Sequence, residues 1–142
     1  MRIQRLVLIS GLAALIMGCS SGPDDDARYR QGVFTAMAYH FGPLGAMSND
    51  RMPFDSDEFQ RRATIVQQLS ILPWEGFKQG SHGGSDASPT LWDEREKFDG
   101  LADDFMAAAE TLAAASDEAA MREAFSATAS TCRECHNAYR DR

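Results

Sequence analysis

The chain has 142 residues, 44% of them hydrophobic and 25% charged, with a formal net charge of −7. That length and apolar share suit one domain with a substantial buried core, and they exclude wholesale disorder. An acidic chain lacks the surplus of lysine and arginine needed to displace counterions from DNA or RNA, so nucleic acid is excluded as a partner.

Residues 1–18 read as an export signal. Arg2 and Arg5 supply a positive start, and Leu6 to Met17 is almost uninterrupted apolar sequence, too short for a comfortable membrane span. The stretch ends Leu15-Ile16-Met17-Gly18-Cys19-Ser20, which resembles a bacterial lipobox with Cys19 as the lipidated residue and Met17 as an unusual occupant. A plain secretory signal is the alternative, and either reading exports the chain. The lipobox reading expects a lipoprotein held in the periplasm at a membrane, the outer one favoured. Residues 19–23 then form a short tether and residues 24–142 the folded domain.

Four segments with helical spacing follow. The first opens on Asp24-Asp25-Asp26, whose charges suit a helix N-terminus. It continues through Tyr29, Val33, Met37, His40, Leu44 and Met47, and Gly42-Pro43 should bend it or end it early. In the second, Asp55 is the expected cap. Glu58 reaches back and Phe54 packs on Phe59, with Ala63, Val66, Leu69 and Leu72 completing the apolar stripe up to Pro73. Residues 73–90 form a long, glycine-rich connection that also holds Trp74 and Phe77. The third segment carries Phe98, Leu101, Phe105, Ala108 and Leu112 at seam spacing. Ser116 is the expected cap of the fourth, whose stripe is Met121, Phe125, Thr128, Cys132, Cys135 and Tyr139. No segment alternates like a strand. The expected fold is all-α, an antiparallel up-and-down four-helix bundle.

Chemistry concentrates in Cys132-Arg133-Glu134-Cys135-His136. Two thiols at this spacing can add across the two vinyl groups of a haem, and the adjacent imidazole can then bind its iron. On a helix the three residues stand at i, i+3 and i+4 and so share one face. A zinc site needs four ligands, which only His40 and His82 could help complete, and a thioredoxin-type dithiol wants a βαβ setting. Covalent haem c, one per chain, is the reading the motif favours. Cys19 for lipid and two cysteines for thioethers leave none for a disulfide.

With this motif close to the end of an exported helical chain, the sequence resembles the cytochrome c′ family. Further words carry the resemblance along the domain: Tyr29-Arg30-Gln31, Leu72-Pro73-Trp74-Glu75-Gly76-Phe77, Leu91-Trp92, and Cys135-His136-Asn137-Ala138-Tyr139-Arg140. Pro43 departs from the family pattern. So does Lys78-Gln79-Gly80-Ser81, which stands where a Gly-Pro-Gly turn is usual.

The resemblance implies His136 as the proximal iron ligand and Phe34, four positions after Arg30, as the residue facing the distal side. A phenyl ring has no lone pair to donate, so this arrangement resembles the branch that binds NO or CO. Met37, three residues along the same helix, carries a thioether and is the alternative sixth ligand of a low-spin electron carrier; as a helical methionine it also reads as core. Peroxidase chemistry wants a polar acid–base group where Phe34 stands, so no enzyme activity is expected. Arg140 reads either as a modulator of the proximal pocket or as a cation at a helix C-terminus. Arg30 reads either as a partner of a haem propionate or as a solvated residue. Trp74, Phe77 and Trp92 are candidates for the wall around the haem, and core in any case. The family also implies one-electron exchange with a redox partner, and a homodimer through the first two helices.

Overall fold

The computed structural model describes residues 22–141. The export signal, Cys19 and most of the expected tether lie outside these residues. Gly22 and Pro23, expected in the tether, instead start the first helix. α1 spans Pro23–Ser48, with Gly22 as its N-cap and the Asp25 carboxylate accepting the Gly22 N–H at 3.3 Å.

The expected break at Gly42-Pro43 does not occur, and α1 runs on through Pro43 to Ser48. Proline cannot donate to the carbonyl one turn back, here that of Tyr39. That carbonyl instead accepts a long hydrogen bond from Arg62 Nη1 at 3.4 Å. Leu44 and Met47, both fully buried, anchor the turn beyond the proline. Packing outweighs the local cost.

α2 spans Ser56–Ser70, and the Asp55 side chain accepts the Glu58 N–H at 2.9 Å as expected. Phe54 stacks on Phe59 with ring centres 5.4 Å apart. The Glu58 side chain does not reach back; it binds Arg61 at 2.8 Å and Arg62 at 2.6 Å. Phe59, Ala63 and Val66 are buried, but Leu72 is 38% exposed because α2 stops at Ser70. The chain then tightens into a 3₁₀ turn over Pro73–Gly76.

A one-turn helix α3, Thr90–Asp93, leads into α4, Arg95–Ala114, which buries Phe98, Ala102, Phe105, Ala109 and Leu112. α5 spans Glu118–Tyr139. Its cap is Asp117 rather than Ser116, with the carboxylate accepting the Ala120 N–H at 3.0 Å. A carboxylate at that position also suits the positive helix end better than a hydroxyl.

The fold is an all-α, antiparallel four-helix bundle in which α1 packs on α2, α2 on α4 and α4 on α5. α1 and α5 meet near one end, where Phe41 stacks on Phe125 at 4.7 Å and Arg122 donates to the carbonyls of Met47 and Ser48. Toward the start of α1 and the end of α5 a cavity lies between them. Among the described residues no helix is long and apolar enough to cross a membrane.

Two predictions test this packing. A Cβ on Gly76 would stand 2.9 Å from the Asp26 carbonyl oxygen, whereas one on Gly100 would meet nothing within 4 Å. Thermal unfolding should show Gly76→Ala destabilised by about 1–3 kcal/mol and Gly100→Ala stabilised by about 0.5–1 kcal/mol. The second concerns acid. Hydrogen bonds from Arg61 and Arg62 hold the Glu58 carboxyl down at about 2, against an ordinary value of 4.5. A depressed carboxyl stabilises the fold above its unfolded value and loses that contribution as pH falls through its folded one. The stability gap between the parent and Glu58→Gln should therefore be open at neutral pH, shrink below pH 4.5 and vanish near pH 2.

Candidate functional site

The cavity between α1 and α5 has a volume of about 870 Å³, within the size range of ligand and cofactor pockets. α1 contributes Arg30, Phe34, Met37 and Phe41, and the segment after α2 contributes Trp74 and Phe77. α4 supplies Phe98 and Phe105, and α5 supplies Cys132, Cys135, His136 and Tyr139, with Arg140 just beyond its end. Ser85, Asp86 and Ala87 of the long connection complete the rim.

Cys132, Cys135 and His136 share this wall, as their spacing on one helix requires. Both cysteines are free and half-buried. Burial pushes the Cys132 thiol up, and it pushes Cys135 to about 11, with Cys132 adding to the effect. Both are therefore neutral thiols at physiological pH rather than the thiolates that bind a bare metal ion. Among the described residues no group of three or more His, Cys, Asp or Glu side chains is disposed to hold such an ion. Partial burial lowers the His136 value, and the Arg140 cation lowers it further, which keeps the imidazole uncharged and able to donate a lone pair.

Phe34 stands edge-on to Trp74 at 6.0 Å and to Phe77 at 6.4 Å. Trp74 is fixed in turn by its indole N–H, which donates to the Ser70 carbonyl at 2.7 Å. Met37 is 6% exposed and belongs to the main core while also lining the cavity. Trp92 is not among the lining residues. Its indole N–H donates to the Lys78 carbonyl at 2.8 Å, and its ring faces His82.

Arg30 is 2% exposed, which removes the solvated reading. Nη1 donates to the Gly76 carbonyl at 2.7 Å and to Ser81 Oγ at 3.0 Å. Nη2 donates to the Ser81 carbonyl at 2.5 Å and to Ser85 Oγ at 2.6 Å. The guanidinium also lies over the Phe77 ring, 4.8 Å from its centre. Its terminal N–H groups are thus committed to the connection, leaving Nε–H for any further acceptor. The sequence pattern carried no signal for Ser81, Ser85 or Asp86, because nothing local marks a loop residue that will meet a distant helix.

Two neutral thiols one turn apart, an uncharged imidazole beside them, and aromatic walls suited to a flat ring system fit a covalently held haem. A sequence model of the family described as cytochrome c′ matches residues 25–140. Cytochrome c′ of Alcaligenes xylosoxydans xylosoxydans is 34% identical over 121 residues, covering 83% of this chain and 94% of its own. The solved structure of cytochrome c prime from Shewanella frigidimarina superposes with a TM-score of 0.84 at 36% identity, covering 87% of this chain and 99% of its own. A nitric oxide complex of a cytochrome c prime variant from Alcaligenes xylosoxidans gives 0.81 at 32% identity, covering 87% and 98%. Cavity, attachment motif and kinship along nearly the whole domain lead to one conclusion: the chain belongs to the cytochrome c′ family and binds covalent haem c with its iron.

Proposed function

We propose that this protein is an exported gas-binding cytochrome, holding its haem so that the distal side is open to NO or CO and capable of one-electron exchange with a redox partner. The observation that carries the reading is Phe34 on the cavity wall, edge-on to both Trp74 and Phe77. Cys132 and Cys135 provide the two thioether links, and His136 provides the proximal nitrogen. Bound there, the haem iron would supply a site for a diatomic ligand and a one-electron couple.

The chain's own residues set the selectivity. The Phe34 ring offers no donor atom and no hydrogen bond, so small uncharged ligands are admitted and anionic ones are left without compensation for lost hydration. Trp74, Phe77, Phe98 and Phe105 extend that apolar lining. With Phe34 standing where O–O cleavage would call for an acid–base group, the reading is of a binding and electron-transfer protein rather than an enzyme. The nitric oxide complex of the related Alcaligenes protein supports NO as the ligand class. The alternative is a low-spin electron carrier with Met37 as sixth ligand, favoured by the placement of Met37 on the same cavity wall. Lipid on Cys19 would hold the domain in the periplasm at a membrane. Tyr39 and Ile71, exposed by 72% and 61% on α1 and just after α2, support pairing of two copies through these helices.

Absorption spectra of the ferric and ferrous protein, with and without CO, test the reading. A high-spin ferric spectrum and rapid, complete CO binding are expected; a wholly low-spin ferric form that resists CO would assign the sixth position to Met37. Phe34→Met should drive the iron six-coordinate and low-spin, and an unchanged spectrum would remove Phe34 from the distal side. His136→Ala should abolish the proximal bond while the haem stays attached through acid–acetone extraction. Loss of the haem only when Cys132 and Cys135 are both replaced by alanine would complete the assignment.

A further inference from the structure

The segment that closes the rim is bound to the end of α5 by contacts that haem attachment does not require. The Ser88 N–H donates to the Tyr139 carbonyl at 2.9 Å, and the Asp141 N–H donates to the Asp86 carbonyl at 2.8 Å. Ala87 and Arg140 form an isolated antiparallel bridge between these bonds. On helical geometry alone, a residue four after His136 would stack directly over it. Arg140 keeps the backbone part of that geometry, its N–H donating to the His136 carbonyl at 3.1 Å, but α5 ends at Tyr139 and Arg140 is itself extended, with φ −114° and ψ 115°. Its guanidinium turns to Asp86, donating to Oδ2 from Nη2 at 3.0 Å and from Nε at 3.3 Å.

Asp86, Arg140 and His136 all line the same cavity. Among the described residues the pair is exclusive: neither side chain has another ion-pair partner. The two side chains are 56% and 64% exposed, so the pair is a weak stabiliser of the fold and is screened by salt. Its position matters more than its strength. The backbone bonds on either side fix where the carboxylate sits, and the carboxylate fixes where the cation sits.

We propose that Asp86 is a positioning residue that holds the Arg140 guanidinium at the rim of the cavity and neutralises it there, which limits its influence on an iron bound by His136. Released from Asp86, the unneutralised cation would favour the reduced, less positive iron and so raise the reduction potential. It would also offer a hydrogen-bond donor on the proximal side. The proposal rests on His136 as proximal ligand, as read above, but not on an open distal side.

Spectroscopic redox titration of the holoprotein provides the test, using Asp86→Asn, Asp86→Glu, Arg140→Ala and the double variant Asp86→Asn/Arg140→Ala. Asp86→Asn should shift the equilibrium toward the reduced form by up to about tenfold, equivalent to about 59 mV for a one-electron couple. Asp86→Glu should restore the parent potential, and Asp86→Asn should have a much smaller effect when Arg140 is absent. High salt should bring the parent and Asp86→Asn together. An equal shift with and without Arg140 would reduce Asp86 to a through-space charge and overturn the proposal, as would no shift at all. Because Asp86 accepts from Asp141 through its main-chain carbonyl, the asparagine variant keeps that bond, and unchanged thermal unfolding should confirm this. Misassignment of His136 would show separately, as an unaltered axial spectrum in His136→Ala.

Discussion

Arg30 is the interaction on which the site depends. A guanidinium taken out of water is strongly destabilising unless its donors are satisfied. Here it is 2% exposed, and among the described residues no carboxylate lies within hydrogen-bonding distance. Gly76, Ser81 and Ser85 provide neutral oxygens instead, and Phe77 provides a π face. These partners come from the 3₁₀ turn and from the long connection, so satisfying one cation places both segments against α1. Phe77, Ser85 and Asp86 reach the cavity as a consequence. A connection rich in glycine thereby behaves as a structural element.

The aromatic lining follows from that placement. Phe34, Trp74, Phe77, Phe98 and Tyr139 meet at centre distances of 4.8–6.4 Å, mostly edge to face. Edge-to-face contact is an arrangement that ring quadrupoles favour, and it fixes these side chains against one another along the cavity. Tyr139 adds a polar anchor: its hydroxyl donates to Glu94 Oε2 at 2.7 Å, which ties the end of α5 to the start of α4. Burial and that hydrogen bond push the Tyr139 phenol up to about 12. It therefore stays a neutral donor across the physiological range.

What could be read from sequence alone was what periodicity and adjacency encode. The stripes of α2, α4 and α5, the Asp55 cap and the shared face of Cys132, Cys135 and His136 all depend on neighbours within one or two turns. The errors arose where distant residues decide. Pro43 is accommodated because Arg62 reaches the carbonyl it strands. Glu58 is a local exception, its carboxylate held by Arg61 and Arg62 one turn further along the same helix. Leu72 continues the spacing of a helix that has already ended. Arg30 looks like any charged helix residue until the loop folds over it, and Asp86 has no local signature.

Gly45 sets how the two halves of the bundle relate. It lies against Phe125, close enough that a Cβ there would come within 2.9 Å of the ring, and Phe41 stacks on the same phenyl group. α1 and α5 are therefore pinched together at this level and separated by the cavity further along, like the arms of a clothes peg about its spring. The spacing of the two helices is thus constrained at the apex, where a side chain in place of the Gly45 hydrogen would have to displace the Phe125 ring, and not by the cavity lining alone.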